Sequence, residues 1–251
     1  MTTRPHRRGL LVNEALTLIR DGILDLSIAP GEHLNERYLM TRFKISRTPA
    51  REALNRLAAE DLVDIHPNRG AFVRPLNATE LKELFEALRV AERLACYFCN
   101  FDDPELIVDI KHIHDEHLRA VRERRILDIS YWYREHRSRI IETSANRHII
   151  GFCYRIFDQM RRVVSLIYRF EMGQADFPQH QLRLLKRYHA DVLAHLQGRD
   201  RRRLLEAFLA QADTFERRVA DALLRSRTID FLELGRPLSA GSSAGTAPKS
   251  G

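Results

Sequence analysis

The stretch Ser46-Arg47-Thr48-Pro49-Ala50-Arg51-Glu52-Ala53-Leu54 constrains this chain more than any other. Turned as a helix at about 100° per residue, it sends Arg47, Thr48, Arg51 and Asn55 to one side and Ala50, Ala53, Leu54 and Leu57 to the other. The second side is apolar enough to dock on a small core. The first carries guanidinium groups one turn apart, a spacing that suits phosphates and guanine edges. Ser46 is placed to cap the helix, and Thr48 and Pro49 suit its first turn. The competing reading, an ordinary solvated helix face, is weakened by what flanks the segment.

Upstream, Leu11 to Leu26 reads as a helix with Leu11, Ala15, Leu18, Ile19 and Gly22 on one stripe, and Ala29-Pro30-Gly31 breaks it. Asn35 then caps a short helix through Phe43. Downstream, Leu62 to Ile65 alternates like a strand, Pro67-Asn68-Arg69-Gly70 turns, and Ala71 to Arg74 returns. Three helices and a hairpin make a winged helix-turn-helix. Its wing tip of Asn68, Arg69 and Gly70 suits minor-groove or backbone contact.

From Asn77 the pattern is helical throughout. Six helices are expected: Asn77 to about Cys99, Asp103 to near Arg125, Asp128 to Thr143, Arg147 to Met172, Pro178 to Gln197, and Asp200 to about Leu224. Such an array is an all-α bundle whose interior can be a ligand chamber. The expected fold class is mainly α, an N-terminal winged helix-turn-helix followed by an all-α six-helix bundle. The expected boundaries are a basic arm at 1–9, a DNA-binding domain at 10–76, an effector-binding and dimerisation domain at 77–230, and a disordered Gly/Ser/Ala/Pro tail at 231–251.

The 251 residues carry a net charge of +7, which fits a polyanionic partner. Three cysteines are too few for a disulfide scaffold and point to a reducing compartment. No apolar run reaches about 18 residues, and the basic start has no apolar segment behind it, so a cytoplasmic protein without membrane span or signal peptide is expected. No Gly-rich phosphate loop, nucleophile elbow or catalytically spaced carboxylate pair argues for an enzyme. Cys96-x-x-Cys99 with His112 and His117 fits the bare spacing of a zinc finger. Both cysteines end a helix instead of a hairpin, however, and buried structural thiols are the better reading. His114 and His117, beside Asp115, Glu116 and Lys111, read as a solvated helix face.

Gly22, Pro30-Gly31-Glu32, Leu34-Asn35-Glu36, Ser46-Arg47-Thr48-Pro49, Arg51-Glu52-Ala53-Leu54, Leu57, Leu62-Val63 and Arg69-Gly70 together resemble the DNA-binding domain of GntR-family bacterial transcription regulators, over residues 10 to 75. The resemblance implies DNA contacts by Arg37, Arg47, Thr48, Arg51 and the wing tip, with Arg37 near the backbone and Arg47 and Arg51 at base edges; Ser46 and Asn55, from the helix reading, are further candidate DNA contacts. Arg89-x-x-Glu92, Ser144-Ala145-Asn146, His189 and Gly198-Arg199-Asp200 resemble, more loosely, the effector-binding FCD domain of the FadR-type branch. That resemblance implies a homodimer on a pseudo-palindromic double-stranded operator, with a small-molecule effector inside an FCD-like bundle.

Many such domains hold a metal through an Asp and a His four residues apart plus one His on each of the last two helices. Here those positions fall on Tyr133, Arg137, His189 and Gln211, so no metal or other cofactor is expected. A one-residue slip would bring in His136 and lose the Asp position to Trp132. The functional reading is that Arg137 grips an effector carboxylate, ringed by Tyr133, His189, Gln211 and Arg89. The alternative is a structural Arg137 paired with Glu92. The expected function is a ligand-responsive, sequence-specific transcription regulator that senses a small organic acid. A long-chain acyl or other non-acid effector, and a helical domain that only dimerises, stay open.

Overall fold

The computed structural model describes residues 4–173, 177 and 179–225, with side chains described from Val12 to Ala222 within them; residues 1–3 of the expected arm and the tail 231–251 lie outside. The elements in chain order are α1 (Arg4–Leu24), β1 (His33–Leu34), α2 (Glu36–Phe43), α3 (Arg47–Ala59), β2 (Val63–His66), β3 (Gly70–Val73), α4 (Ala78–Phe98), α5 (Leu106–Arg122), α6 (Ile126–Glu142), α7 (Arg147–Glu171), α8 (Gln179–Gln197) and α9 (Arg201–Arg225). Helix α1 starts seven residues before Leu11. Pro5 suits its first turn, and nothing before Gly22 stops the helix. None of the described helices is long and apolar enough to cross a membrane.

The first domain closes around Ala15, Ile19 and Ile23 of α1, Leu39 of α2, and Ala50, Ala53, Leu54 and Leu57 of α3. The apolar stripe expected on α3 is the buried one, whereas on α1 Leu18 is exposed and Val12, Leu16 and Ile23 are buried with Ala15 and Ile19, a face turned by about one residue from the one expected. Asn35 caps α2 by accepting from the Tyr38 amide at 2.7 Å. The three strands run antiparallel in the order β1-β3-β2, with His33 opposite Phe72 and His66 opposite Gly70. Strand β1 was not expected, because two residues are too short to show a period. At Gly70, φ is +91° and a Cβ would lie 2.6 Å from Nε2 of His33, so both backbone and neighbour demand glycine.

The second domain holds two apolar clusters. One joins α4, α6, α7 and α9 through Phe85, Leu88, Phe157, Val163 and Phe215. The other joins the end of α4 to α5, α8 and α9 through Cys96, Ile110, Val192, Leu196 and Phe208. Asn77 and Asn146 cap α4 and α7. Leu26, at φ +62° just past α1, packs into the first of these clusters and pins the winged domain to the bundle.

Helix α7 makes the rest of that junction. The Gln159 side-chain amide donates to the carbonyls of Glu60 at 2.9 Å and Asp61 at 2.6 Å. The Arg162 guanidinium donates to the Arg74 carbonyl, and that of Arg169 to the Asp25 carbonyl at 2.6 Å. Gly22 sits where α1 meets the returning chain: a Cβ there would stand 2.9 Å from both Cγ1 and Cδ1 of Ile28. Gly22→Ala is expected to cost about 1–3 kcal/mol by overpacking. Urea unfolding should show a lower midpoint at unchanged slope, and a midpoint equal to the parent's would contradict the close approach.

Candidate functional site

The outer face of α3 carries Arg47, Thr48, Arg51 and Asn55, all exposed, opposite the buried Pro49, Ala50, Ala53, Leu54 and Leu57. Arg47 is 76% exposed and meets Glu36 at 2.9 Å, an exposed pair worth at most about 1 kcal/mol and easily exchanged for a phosphate. Among the described residues, the side chains of Arg37, Arg51 and Arg69 make no hydrogen bond or ion pair. Asn68, at φ +60°, and Arg69 form the exposed wing tip. Ser46 stands at the N-cap in extended conformation but makes no side-chain cap bond, so its hydroxyl is left for other partners. Lys44, exposed in the αL turn between α2 and α3, is a further free cation that the helical pattern did not single out. The exposed cations and donors of α2, α3 and the wing have the chemistry that a nucleic-acid backbone and base edges require.

The second candidate site is buried. Glu92 on α4 and Arg137 on α6 are 0% and 1% exposed, and the Arg137 Nε donates to the Glu92 Oε1 at 2.7 Å. The guanidinium carbon lies 3.9 Å from the ring centroid of Tyr133. Burial opposes charge on both partners: it pushes the Glu92 carboxyl up, while at Arg137 the adjacent carboxylate outweighs burial and holds the charge. The pairing given as the alternative role of Arg137 is therefore present, with Tyr133 beside it.

Four histidines close the same region. His114 and His117 of α5, which the sequence reading placed on a solvated face, are 3% and 4% exposed and turn inward. His114 stacks on His189 of α8 with centroids 3.8 Å apart and planes at 3°, and His136 of α6 tilts against His114 at 4.8 Å. His117 stands 5.4 Å from His189. Burial holds the His114 and His117 imidazoles down to about 3 and keeps His136 and His189 well below their ordinary value. Polar atoms here lack partners: both ring nitrogens of His114 and of His189, Nε2 of His117 and His136, Nη2 of Arg137, Oε2 of Glu92, and the Tyr133 and Tyr188 hydroxyls. Within the bundle these polar atoms therefore have no partner among the described side chains.

Two residues expected in the effector ring stand apart. Arg89 pairs with Asp213, at 2.7 Å, and Glu216 on α9, while Glu92 pairs with Arg137 on α6. Gln211 is half-buried and makes no hydrogen bond among the described residues. Histidines 114 and 117 were legible in principle: the buried stripe of α5 is Leu106, Ile110, Ile113, His114, His117, Ala120 and Val121, a regular helical period in which histidine stands among apolar residues. Cys96, Cys99 and Cys153 are buried free thiols, and burial pushes the Cys153 thiol up to about 12. His112 is exposed against Trp132 while His117 is buried, so the zinc-finger spacing brings no four ligands together.

The metal that the FCD resemblance would imply does not fit these residues. A fully buried guanidinium occupies one ligand position, and the parallel His114 and His189 rings direct their lone pairs side by side instead of at one point. Among the described residues, no group of three His, Cys, Asp or Glu could hold a metal ion.

The neutral histidines give stability a pH dependence of definite sign. Their folded values lie below the unfolded value of about 6.5, so the unfolded chain binds protons first as pH falls. Stability is full above about pH 6.5 and declines below it, approaching about 1.4 kcal/mol per pH unit for each histidine. Denaturant unfolding at pH 7.5, 6 and 5 checks this. Replacing His114 and His189 together by Phe should flatten the slope, and an unchanged slope would place the protons elsewhere.

Residues 11–73 match the model of the bacterial regulatory proteins, gntR family. The Nta operon transcriptional regulator of Aminobacter aminovorans is 46% identical over 71 residues, 27% of this chain and 34% of that protein's own length. The HTH-type transcriptional repressor RspR of Escherichia coli is 27% identical over 188 residues, covering 73% of this chain and 77% of RspR. The crystal structure of a putative transcriptional regulator GntR from Rhodococcus sp. RHA1 shares the fold with a TM-score of 0.66 at 18% identity, over 83% of this chain and 97% of that one. These similar proteins are regulators, not enzymes. Over residues 11–73, its N-terminal winged helix-turn-helix, the chain is thus similar to bacterial regulatory proteins of the gntR family.

Proposed function

We propose that this chain is a ligand-responsive transcription regulator of the FadR-type branch, a homodimer that reads a pseudo-palindromic operator in the cytoplasm. The observation that carries the DNA-binding part is the outer face of α3, where Arg47, Thr48, Arg51 and Asn55 stand exposed and Arg51 is free of any partner among the described residues. Arg47 and Arg51 reach base edges, Arg37 and Lys44 the backbone, and Ser46, Asn68, Arg69 and Gly70 the flanking groove. One small winged domain buries too little surface for tight specific binding, which argues for two per operator.

The bundle is the sensor. Its FCD-like interior presents open donors on Arg137 Nη2, Tyr133 and Tyr188 beside neutral imidazoles, a set that suits a small organic acid held without a metal. A second reading is supported by the packing itself: Arg137 is already paired and the histidines stack ring on ring, as in a filled core that only dimerises. A ligand-induced melting shift separates the two, since only a true effector stabilises by RT ln(1 + [L]/Kd).

Arg47→Ala and Arg51→Ala should each weaken operator binding by about 1–3 kcal/mol, and at least one should relax base preference. Arg37→Ala should weaken all sequences alike and flatten the salt dependence. Sedimentation of the same samples should give about twice the 29.3 kDa chain mass. Parent-like affinity in all three variants, or a monomer at micromolar concentration, would sink the corresponding part.

Arg137→Ala removes one partner of a buried pair and should cost about 3–5 kcal/mol of stability together with the effector response. Arg137→Lys keeps the charge and loses the fork, so it should weaken the response less. Chelation should change neither. About one tightly held zinc, nickel or manganese per chain, lost in His189→Ala, would overturn the metal-free reading.

A further inference from the structure

A cavity of about 330 Å³ opens where the DNA-binding domain meets the bundle. Arg20 of α1 and Glu60 after α3 form one wall; Tyr131 and Arg134 of α6 with Asp158 and Arg161 of α7 form the other. Its size falls at the lower end of small-molecule sites, about 300–1,000 Å³. The charges in it are not evenly matched. Arg20 is closed off by Glu60 through a fork, Nε to Oε2 at 2.8 Å and Nη2 to Oε1 at 2.5 Å. Arg134 donates to Asp158 at 3.0 Å and to Glu135 at 2.6 Å. Each carboxylate lining the cavity thus already has an arginine.

Arg161 has none. Among the described residues its guanidinium makes no hydrogen bond and no ion pair, and its Nε is buried without a partner. Its nearest aromatic contact is Tyr131, with the guanidinium carbon 5.9 Å from the ring centroid. Burial disfavours its charge, Asp158 and Asp21 offset that in part, and Arg134 and Arg20 add to it. A largely desolvated guanidinium with open donors, at the wall of a cavity whose acids are already paired, has the chemistry of an anion site.

We propose that this inter-domain cavity binds a small oxyanion, a carboxylate or a phosphate, through Arg161, and that the bound anion ties the DNA-binding domain to α6 and α7. This site is distinct from the bundle interior and goes beyond the sensor proposed above. Because both domains build its walls, an anion seated there favours their joined arrangement. Operator binding that prefers another arrangement must weaken the anion by the same factor.

The test titrates the full-length protein with inorganic phosphate and, separately, with acetate, at ionic strength held constant with chloride. A saturable rise in melting temperature with at least one probe is expected; which probe acts assigns phosphate or carboxylate. Amide exchange should slow at the end of α1, in the turn around Glu60 to Leu62, and along the facing turns of α6 and α7. Arg161→Gln should lose about tenfold or more in anion affinity, the scale of one charge-assisted contact, and Arg161→Lys should lose less. No saturable shift with either probe overturns the proposal, as does parent-like binding by Arg161→Gln. Slowed exchange confined to α8 and the histidine cluster also overturns it and assigns the anion to the bundle interior. That footprint is read on the parent protein, so the test stands even if a variant fails to fold.

Discussion

One stripe of donors on α7 fixes how the two domains of this protein sit together. Chain segments that leave a helix or strand carry carbonyls without partners, and burying them in a junction is costly unless something donates to them. Gln159, Arg162 and Arg169, three and seven residues apart along one helix face, supply those donors to Glu60, Asp61, Arg74 and Asp25. These acceptors follow α3, β3 and α1, so each element of the winged domain that enters the junction is held at its exit. Leu26 adds the apolar anchor. A domain held by polar contacts at its edges, with few apolar ones, can be released at modest cost.

The arginine at the centre of that stripe has consequences of its own. Arg162 is fully buried, donates only to the Arg74 carbonyl, and is brought down to about 10 by burial, with Nε and Nη1 unpartnered. Its neighbour Arg161 is the unpaired cation of the junction cavity. The bundle interior repeats the theme with a buried Glu92–Arg137 pair and four neutral histidines. Ion pairs of this depth seldom add net stability, because desolvation consumes most of the Coulomb gain. Polar groups thus stand where apolar ones would pack more favourably, both inside the bundle and between the domains.

The amphipathic pattern of α3 and the caps at Asn35, Asn77 and Asn146 made those helices legible to within a few residues, because helix period and capping are local properties; α1, which has no such cap signal, starts seven residues earlier than expected. Strand β1 was hidden, since a two-residue strand exists only through its pairing with Ala71 and Phe72. His114 and His117 were misplaced for a different reason. Histidine serves equally in water and, when neutral, in a core, so acidic neighbours at Asp115 and Glu116 tipped the reading outward although the stripe through Ile110, Ile113 and Val121 runs inward. Arg89 and Glu92, three residues apart, read as one motif but face opposite partners.

The sequence by itself determined the amphipathic pattern of α3 and the order of the helices, because each depends on residue type at fixed local spacing. Tertiary structure alone decided which charges are paired. Arg137 meets Glu92 across 45 residues, Gln159 reaches Asp61 across 98, and Arg161 is left without a carboxylate. Pairing across such separations is set by how helices pack, and desolvation then gives each pair or orphan its chemical meaning.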